Sequence, residues 1–185
     1  MILPIVSFGS AILRERCKDI NSDYPDLDIL LGNMWETMYQ ANGVGLAAPQ
    51  INKNIRLFLI DTSPFLEDDE IKETAVKKVF INAQIVKEEG DEWSFNEGCL
   101  SIPEIREDIF RKSTIVVEYL NERFERKVES FDGVAARVIQ HEYDHINGIL
   151  FTDKLSPLRK RMIKSKLFEI SKGNVKVPYK MRFPK

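Results

Sequence analysis

Both histidines of this 185-residue chain fall inside one five-residue window, His141-Glu142-Tyr143-Asp144-His145. Residues four apart on a helix stack one turn above another, so two imidazoles at this spacing can hold one metal ion from the same side. Glu142, next to the first imidazole, can take a proton from a water whose pKa the metal lowers towards ~7. The window therefore needs a helix, and the helix needs its imidazole side buried. The flanking residues agree. Val134, Val138, His141 and His145 follow one another at steps of four, three and four, so the histidines continue an apolar stripe. Two buried imidazoles without partners would be costly, and a shared metal satisfies both. The plain alternative is a chance match on a helix whose histidines merely pack or face water.

A catalytic metal site pairs three protein ligands with an open position. A histidine six residues after His145 would mark one class of metallopeptidase, but position 151 is Phe. A glutamate on a later helix would mark another, and Glu169 is the only glutamate after Glu142. Cys99 is the remaining choice. It lies in Glu97-Gly98-Cys99-Leu100-Ser101, where Gly98 lets the backbone approach a metal closely. There are only two cysteines, which argues against a disulfide framework. Cys17 reads as a small buried apolar side chain. A third segment, Gly43-Val44-Gly45-Leu46-Ala47-Ala48-Pro49-Gln50, lacks the Gly-Lys-Ser/Thr ending of a phosphate loop. Taken alone it reads as a tight turn with buried packing, although Gln50 offers an uncharged amide donor to a developing oxyanion.

The rest of the chain supplies a frame. Helical spacing of Leu27, Leu30, Leu31, Met34, Trp35 and Met38 predicts a helix over Asp26 to Gln40, ended by Asn42-Gly43. Ile55 to Ile60, Val79 to Val86 and Ile115 to Leu120 are β-rich, and Glu125 to Phe131 can pair with the last across a turn at Asn121-Glu122. Ser63 to Glu73 reads as a surface loop. The motif helix spans Gly133 to His145, with Asp132 or Ser130 as its cap. A third helix runs from Leu158 to Ser171, started after Ser156-Pro157 and ended at Gly173. Strands and helices without a βαβ rhythm predict an α+β domain, and the length suits a single one spanning 1–185.

Charge is unevenly spread. From Lys154 to Lys185 eleven Lys or Arg face a single acid, a net +10, so with −2 overall the remaining chain carries −12. A basic end at about 156–185 suits contact with RNA or another polyanion, and equally a solvated helix face with a frayed tail. No apolar run reaches the ~18 residues that span a bilayer, and Met1 to Ser10 lacks the features of a signal peptide. The expectation is a cytoplasmic protein.

Together the three segments resemble the peptide deformylase family. Its motifs Gly-x-Gly-hydrophobic-Ala-Ala-x-Gln, Glu-Gly-Cys-hydrophobic-Ser and Gln-His-Glu-hydrophobic-Asp-His are matched here by Gly43 to Gln50, Glu97 to Ser101 and Gln140 to His145. The likeness runs from Ile12-Leu13-Arg14 to Leu155-Ser156-Pro157-Leu158. The resemblance implies antiparallel β-sheets around a central helix carrying the histidines, with a C-terminal helix. It implies Cys99, His141 and His145 as ligands of one divalent ion, Fe2+ in the family and often Ni2+ or Zn2+ after purification. Ligand chemistry alone would suggest zinc. It implies Glu142 as general base and then acid, with Leu100 N–H and Gln50 as oxyanion donors. Gly45 would meet the substrate backbone, and Gly98, beside the metal cysteine, would also bind substrate. The methionine side chain of a formyl-methionyl nascent peptide would enter a pocket near Val44, Phe95, Glu97, Val134, Val138 and His141. The C-terminal helix resembles one that docks on the ribosome in some members. Arg137 departs from the family's apolar pocket residue, and is expected to fold outward over its methylene stem or to alter the pocket rim. The tail from Val175 to Lys185 matches no family element. The rival reading is a His-Glu-x-x-His metallo-endopeptidase that uses Glu169.

Overall fold

The computed structural model describes residues 1–67 and 74–184. In chain order its regular elements are β1 (Ile5–Val6), α1 (Leu27–Gln40), β2 (Gly45–Ala47), β3 (Leu57–Asp61), β4 (Lys77–Cys99), β5 (Ile102–Leu120), β6 (Arg126–Asp132), α2 (Gly133–Ile146), α3 (Pro157–Ser171) and β7 (Met181–Arg182). The architecture is α+β. Five strands form one antiparallel sheet in the order β2-β3-β4-β5-β6, while β1 and β7 form a separate parallel pair.

β3 shows why the core sits where it does. All five of its residues are buried, and alternate side chains of a strand point to opposite faces. Phe58 and Ile60 pack with Val134, Val138 and Ile139 of α2. Leu57 and Leu59 pack with Leu30, Leu31, Met34 and Met38 of α1. The two helices thus cover opposite faces of the sheet, which explains the unbroken apolar run at this strand. A third cluster sets Ile102, Ile105 and Ile109 of β5 against Leu150, Phe151, and Ile163 and Ile170 of α3. Cys17 is a buried free thiol in the α2 cluster, pushed up to about 11 by burial.

Several local expectations are refined. Helix α1 ends at Gln40 with Ala41 as its C-cap, and the φ of 53° at Asn42 and the bond from Gly43 N–H to Met38 O turn the chain away after it. Asp132, the last residue of β6, occupies the N-cap of α2, and its side chain makes no capping bond. Ser156 does cap α3, accepting from Arg159 N–H at 3.3 Å. β6 pairs with β5 as expected, through a turn in which Asn121 Oδ1 accepts from the backbone N–H of Arg123 and Glu125. Of the expected loop at Ser63 to Glu73, the described part is a 3-10 turn over Ser63–Glu67, and residues 68–73 lie outside the described residues. The tail does have a structural role, since β7 pairs with β1.

Candidate active site

β4 and β5 are joined by the two-residue turn Leu100-Ser101, and their ladder slips between Gly98 and Cys99. The slip breaks the regular pleat at Cys99. Its Sγ lies 3.3 Å from His145 Nε2. The ligand atoms of Cys99, His141 and His145 all fall within 4.8 Å of one another. His141 and His145 stand as the i, i+4 spacing requires, with ring centroids 5.1 Å apart. Glu97 Oε2 lies 3.0 Å from His141 Nδ1. Accepting that N–H fixes the tautomer in which Nε2 keeps its lone pair for the cluster.

Glu97 is itself held. Arg111 grips it with two bonds, Nε to Oε1 at 2.7 Å and Nη2 to Oε2 at 2.9 Å, and reaches Asp144 Oδ2 with Nη1 at 2.7 Å. Burial pushes the Glu97 carboxyl up, but the hydrogen bonds from Arg111 and His141 more than reverse this and hold it well below the usual carboxylate range. Asp144 therefore acts on the site through Arg111, not through a histidine. Sequence reasoning missed Arg111. The sequence carries no clear signal for it, because its burial beside Ile105, Glu107 and Ile109 on one face of β5 follows from pairing with β4.

Glu142 is only 4% exposed, and its Oε2 is buried without a hydrogen-bond partner. Burial pushes this carboxyl up to about 7, the range suited to taking and returning a proton near neutral pH. Gly45 explains itself here. A Cβ on Gly45 would lie 2.8 Å from both Cγ and Cδ of Glu142. Gln50, on the 3-10 turn Ala48–Ile51, accepts from Ala47 N–H at 2.8 Å through Oε1. That bond sets its amide orientation, and Nε2 then faces Cys99 Sγ at 3.6 Å and Ser101 Oγ at 3.3 Å. Gly98 has a further reason in the fold. The room its missing Cβ leaves is filled by Arg106, whose Nη1 would lie 2.7 Å away.

These groups open on a cleft of about 600 Å³ lined by Val44, Gly45, Phe95, Glu97, Gly98, Leu100, Val138, His141 and Glu142 among others. Val134 is not in the lining; it packs in the core beneath. Arg137 does not fold outward, the first of its two expected placements, and it does line the cleft. It is 1% exposed and turns inward, bonding Glu97 Oε1 at 3.2 Å, Ile109 O at 3.0 Å and Trp93 O at 2.6 Å. Its guanidinium lies over the Trp93 ring, 4.6 Å from the centroid. Three acceptors and an aromatic face outweigh the pull of solvent on the head group. Glu169 is exposed and accepts from Asn174 Nδ2 at 2.6 Å, and it takes no part in the cluster among the described residues.

One thiol and two imidazoles form a donor set suited to a divalent transition metal. Burial pulls His145 well below its usual value, towards the neutral form that a metal requires. Burial of His141 is outweighed by its bonds to Cys99 and Glu97, which hold it well above the usual value, so a metal binding there displaces a proton. Such a donor set, beside a buried carboxylate with a free oxygen at the foot of a peptide-sized cleft, defines a metal-dependent hydrolase. The comparisons narrow the class. The family model for polypeptide deformylase matches residues 2–161. The peptide deformylase of Christiangramia forsetii is 59% identical over 190 residues, covering 100% of this chain and 97% of its own. That of Flavobacterium johnsoniae is 57% identical over 189 residues, covering 99% and 96%. A peptide deformylase crystal structure from Legionella pneumophila aligns with a TM-score of 0.80 at 36% identity, covering 94% of this chain and 98% of that one. One from Synechococcus elongatus, in complex with actinonin, aligns with a TM-score of 0.78 at 36% identity, covering 89% and 87%. This chain belongs to the peptide deformylase family and is an amide hydrolase acting on formylated polypeptides. The endopeptidase reading is not favoured.

Proposed function

We propose that residues 1–185 form a single catalytic domain in which Cys99, His141 and His145 hold one divalent ion and Glu142 moves the proton. The observation that carries this is the unpartnered, buried Oε2 of Glu142 beside the Cys-His-His cluster. An ion bound there supplies Lewis acidity, lowering the pKa of water and polarising the formyl oxygen. Glu142 takes a proton from the attacking water as its oxygen bonds to the formyl carbon. Leu100 N–H and Gln50 Nε2 donate to the oxygen that becomes negative, an interaction stronger in the transition state than before it. The carbon–nitrogen bond then breaks, and Glu142 delivers its proton to the leaving amine. Formate and a free N-terminal methionine result. Gly45 meets the substrate backbone. Val44, Phe95, Glu97, Val138 and His141 surround the methionine side chain, with Val134 supporting the helix beneath it and Gly98 beside the metal cysteine.

The ion we assign is Fe2+, as the family resemblance implies; Zn2+ or Ni2+ would fill the same donors after purification in air. The reading extends to the cytoplasm as the place of action. It is supported in part by the lack, among the described residues, of any helix long and apolar enough to cross a membrane. We also assign the basic face of α3 to docking on the ribosome, supported by the +10 charge of residues 154–185. The test is mass spectrometry of formyl-Met-Ala-Ser incubated with protein purified without oxygen. Loss of the formyl mass with peptide bonds intact is expected. Cleavage between residues, or no change with metal confirmed bound, would overturn the reading. Metal analysis of the same sample should give iron, and a full complement of zinc instead would remove the Fe2+ assignment.

A further inference from the structure

The segment after α3 comes back to the cleft. β7 pairs with β1, and Lys176 to Tyr179, just before β7, line the cleft wall. The Tyr179 hydroxyl donates to the carbonyl of Leu100 at 2.8 Å. The carbonyl of the other turn residue, Ser101, accepts from Phe8 N–H at 2.8 Å, just after β1. Both carbonyls of the two-residue turn are therefore held by residues flanking the parallel pair. The Tyr179 and Leu100 side chains also pack against the same core cluster. Tyr179 lies outside the stretch matched by the family model, which ends at residue 161.

We infer that Tyr179 is a positioning residue for deformylation: by holding the Leu100 carbonyl it fixes the turn that aims Leu100 N–H at the formyl oxygen. The inference rests on the oxyanion role proposed above for Leu100. Leu100 N–H and C=O sit on either side of one Cα, so anchoring the carbonyl limits rotation of the donor. An oxyanion donor acts mainly in the transition state, so misaiming it lowers kcat and leaves KM alone. Removing such a donor outright costs about 10²–10³ in rate, so loosening it should cost less, about 5- to 20-fold.

The experiment compares Tyr179→Phe and Tyr179→Leu with the unaltered, metal-loaded enzyme on formyl-Met-Ala-Ser. Metal content, Tm and amide hydrogen exchange at Leu100 are followed in parallel. Both variants should lose kcat to a similar degree, with KM within about twofold. Metal content and the Tm of Tyr179→Phe should stay unchanged, and exchange at Leu100 should be faster. Phe behaving as Tyr while Leu fails would assign the effect to ring packing and overturn the inference. So would a kcat loss that tracks lost metal, or a change confined to KM. If the unaltered enzyme, fully loaded, releases no formate, the deformylase mechanism fails first and the inference falls with it.

Discussion

Helices α2 and α3 are almost the same length, 14 and 15 residues, and they treat their side chains in opposite ways. α2 buries Arg137, Gln140, Glu142, Asp144 and His145 along with its apolar stripe. α3 buries only Ile163 and Ile170, and leaves Leu158, Met162 and Phe168 at 66%, 61% and 57% exposed. Hydrophobicity alone would not produce this arrangement. Buried polar groups cost stability unless they are bonded, and those of α2 are mostly bonded to β4 and β5. The unpartnered buried side-chain atoms of α2 are Arg137 Nε, Gln140 Oε1, Glu142 Oε2 and His145 Nδ1, and the last two belong to the residues at the Cys-His-His cluster. Apolar side chains exposed among many cations, as on α3, mark a surface that another body can cover. One helix spends stability on a reaction, and the other leaves burial incomplete.

The largest test of that contrast is Glu142→Ala. Loss of a general acid–base group should lower turnover by about 10³–10⁴-fold with metal content unchanged, read by formate release and metal analysis. Near-normal turnover would make the buried polar side of α2 merely structural.

Arg111→Met comes next. It removes two bonds to Glu97 and one to Asp144, leaving Glu97 with Arg137 and His141, and breaking a buried pair typically costs about 3–5 kcal/mol, measurable by urea unfolding. The pH dependence sharpens it. The folded value of Glu97 is depressed, so its contribution is present above the ordinary carboxyl range and lost as pH falls through that depressed value. Without Arg111 only Arg137 and His141 oppose burial and the depression is weaker, so the stability gap between the two proteins should narrow in acid. A gap that widens in acid would contradict the network.

Arg137→Leu should act on selectivity. It removes a cation packed on Trp93 in the cleft lining, and should change the kcat/KM ratio of formyl-methionyl over formyl-leucyl peptides by about tenfold. An unchanged ratio would place the guanidinium outside the reach of the substrate. The smallest effect belongs to α3. Phe168→Ser should shift stability by no more than about 0.5 kcal/mol. Lys160→Glu with Lys164→Glu should weaken co-sedimentation with ribosomes and leave peptide turnover as it was. Loss of peptide turnover in that double variant would erase the division of labour between the helices.

How much of this was readable in advance followed from locality. The motif of α2 is a five-residue window with a stripe before it, so the histidines, Glu142 and the helix were all legible. β4 and β5 were only half legible. Val79 to Val86 and Ile115 to Leu120 looked like strands, but β4 continues to Cys99 through Lys87 to Glu92, a charged stretch exposed on both sides. Its strand state comes from the ladder to Ile115, Thr114 and Lys112, and a ladder leaves no mark on one strand's own pattern. The same applies to Arg111, Arg137 and Tyr179. Each partner is distant in sequence, and Arg137 looked like a solvent-facing residue because cations on helices usually are. Cys99 was legible because only two cysteines needed explaining.

The parallel pairing of Ile5 and Val6 with Met181 and Arg182 has a consequence for synthesis. A ribosome makes the first partner near the start of the chain and the second close to its end. Domains can begin folding from the N-terminal side as they emerge, yet this closure waits until the far segment has cleared the exit tunnel. Thermodynamically the delay is mild, since each doubling of a loop adds only about 0.6 kcal/mol. Kinetically it means that the turn carrying Leu100 and Ser101 lacks its Tyr179 bond until Tyr179 and the strand after it have been made. An enzyme that acts on newborn polypeptides thus completes this turn only when a paired segment far along its own chain has emerged.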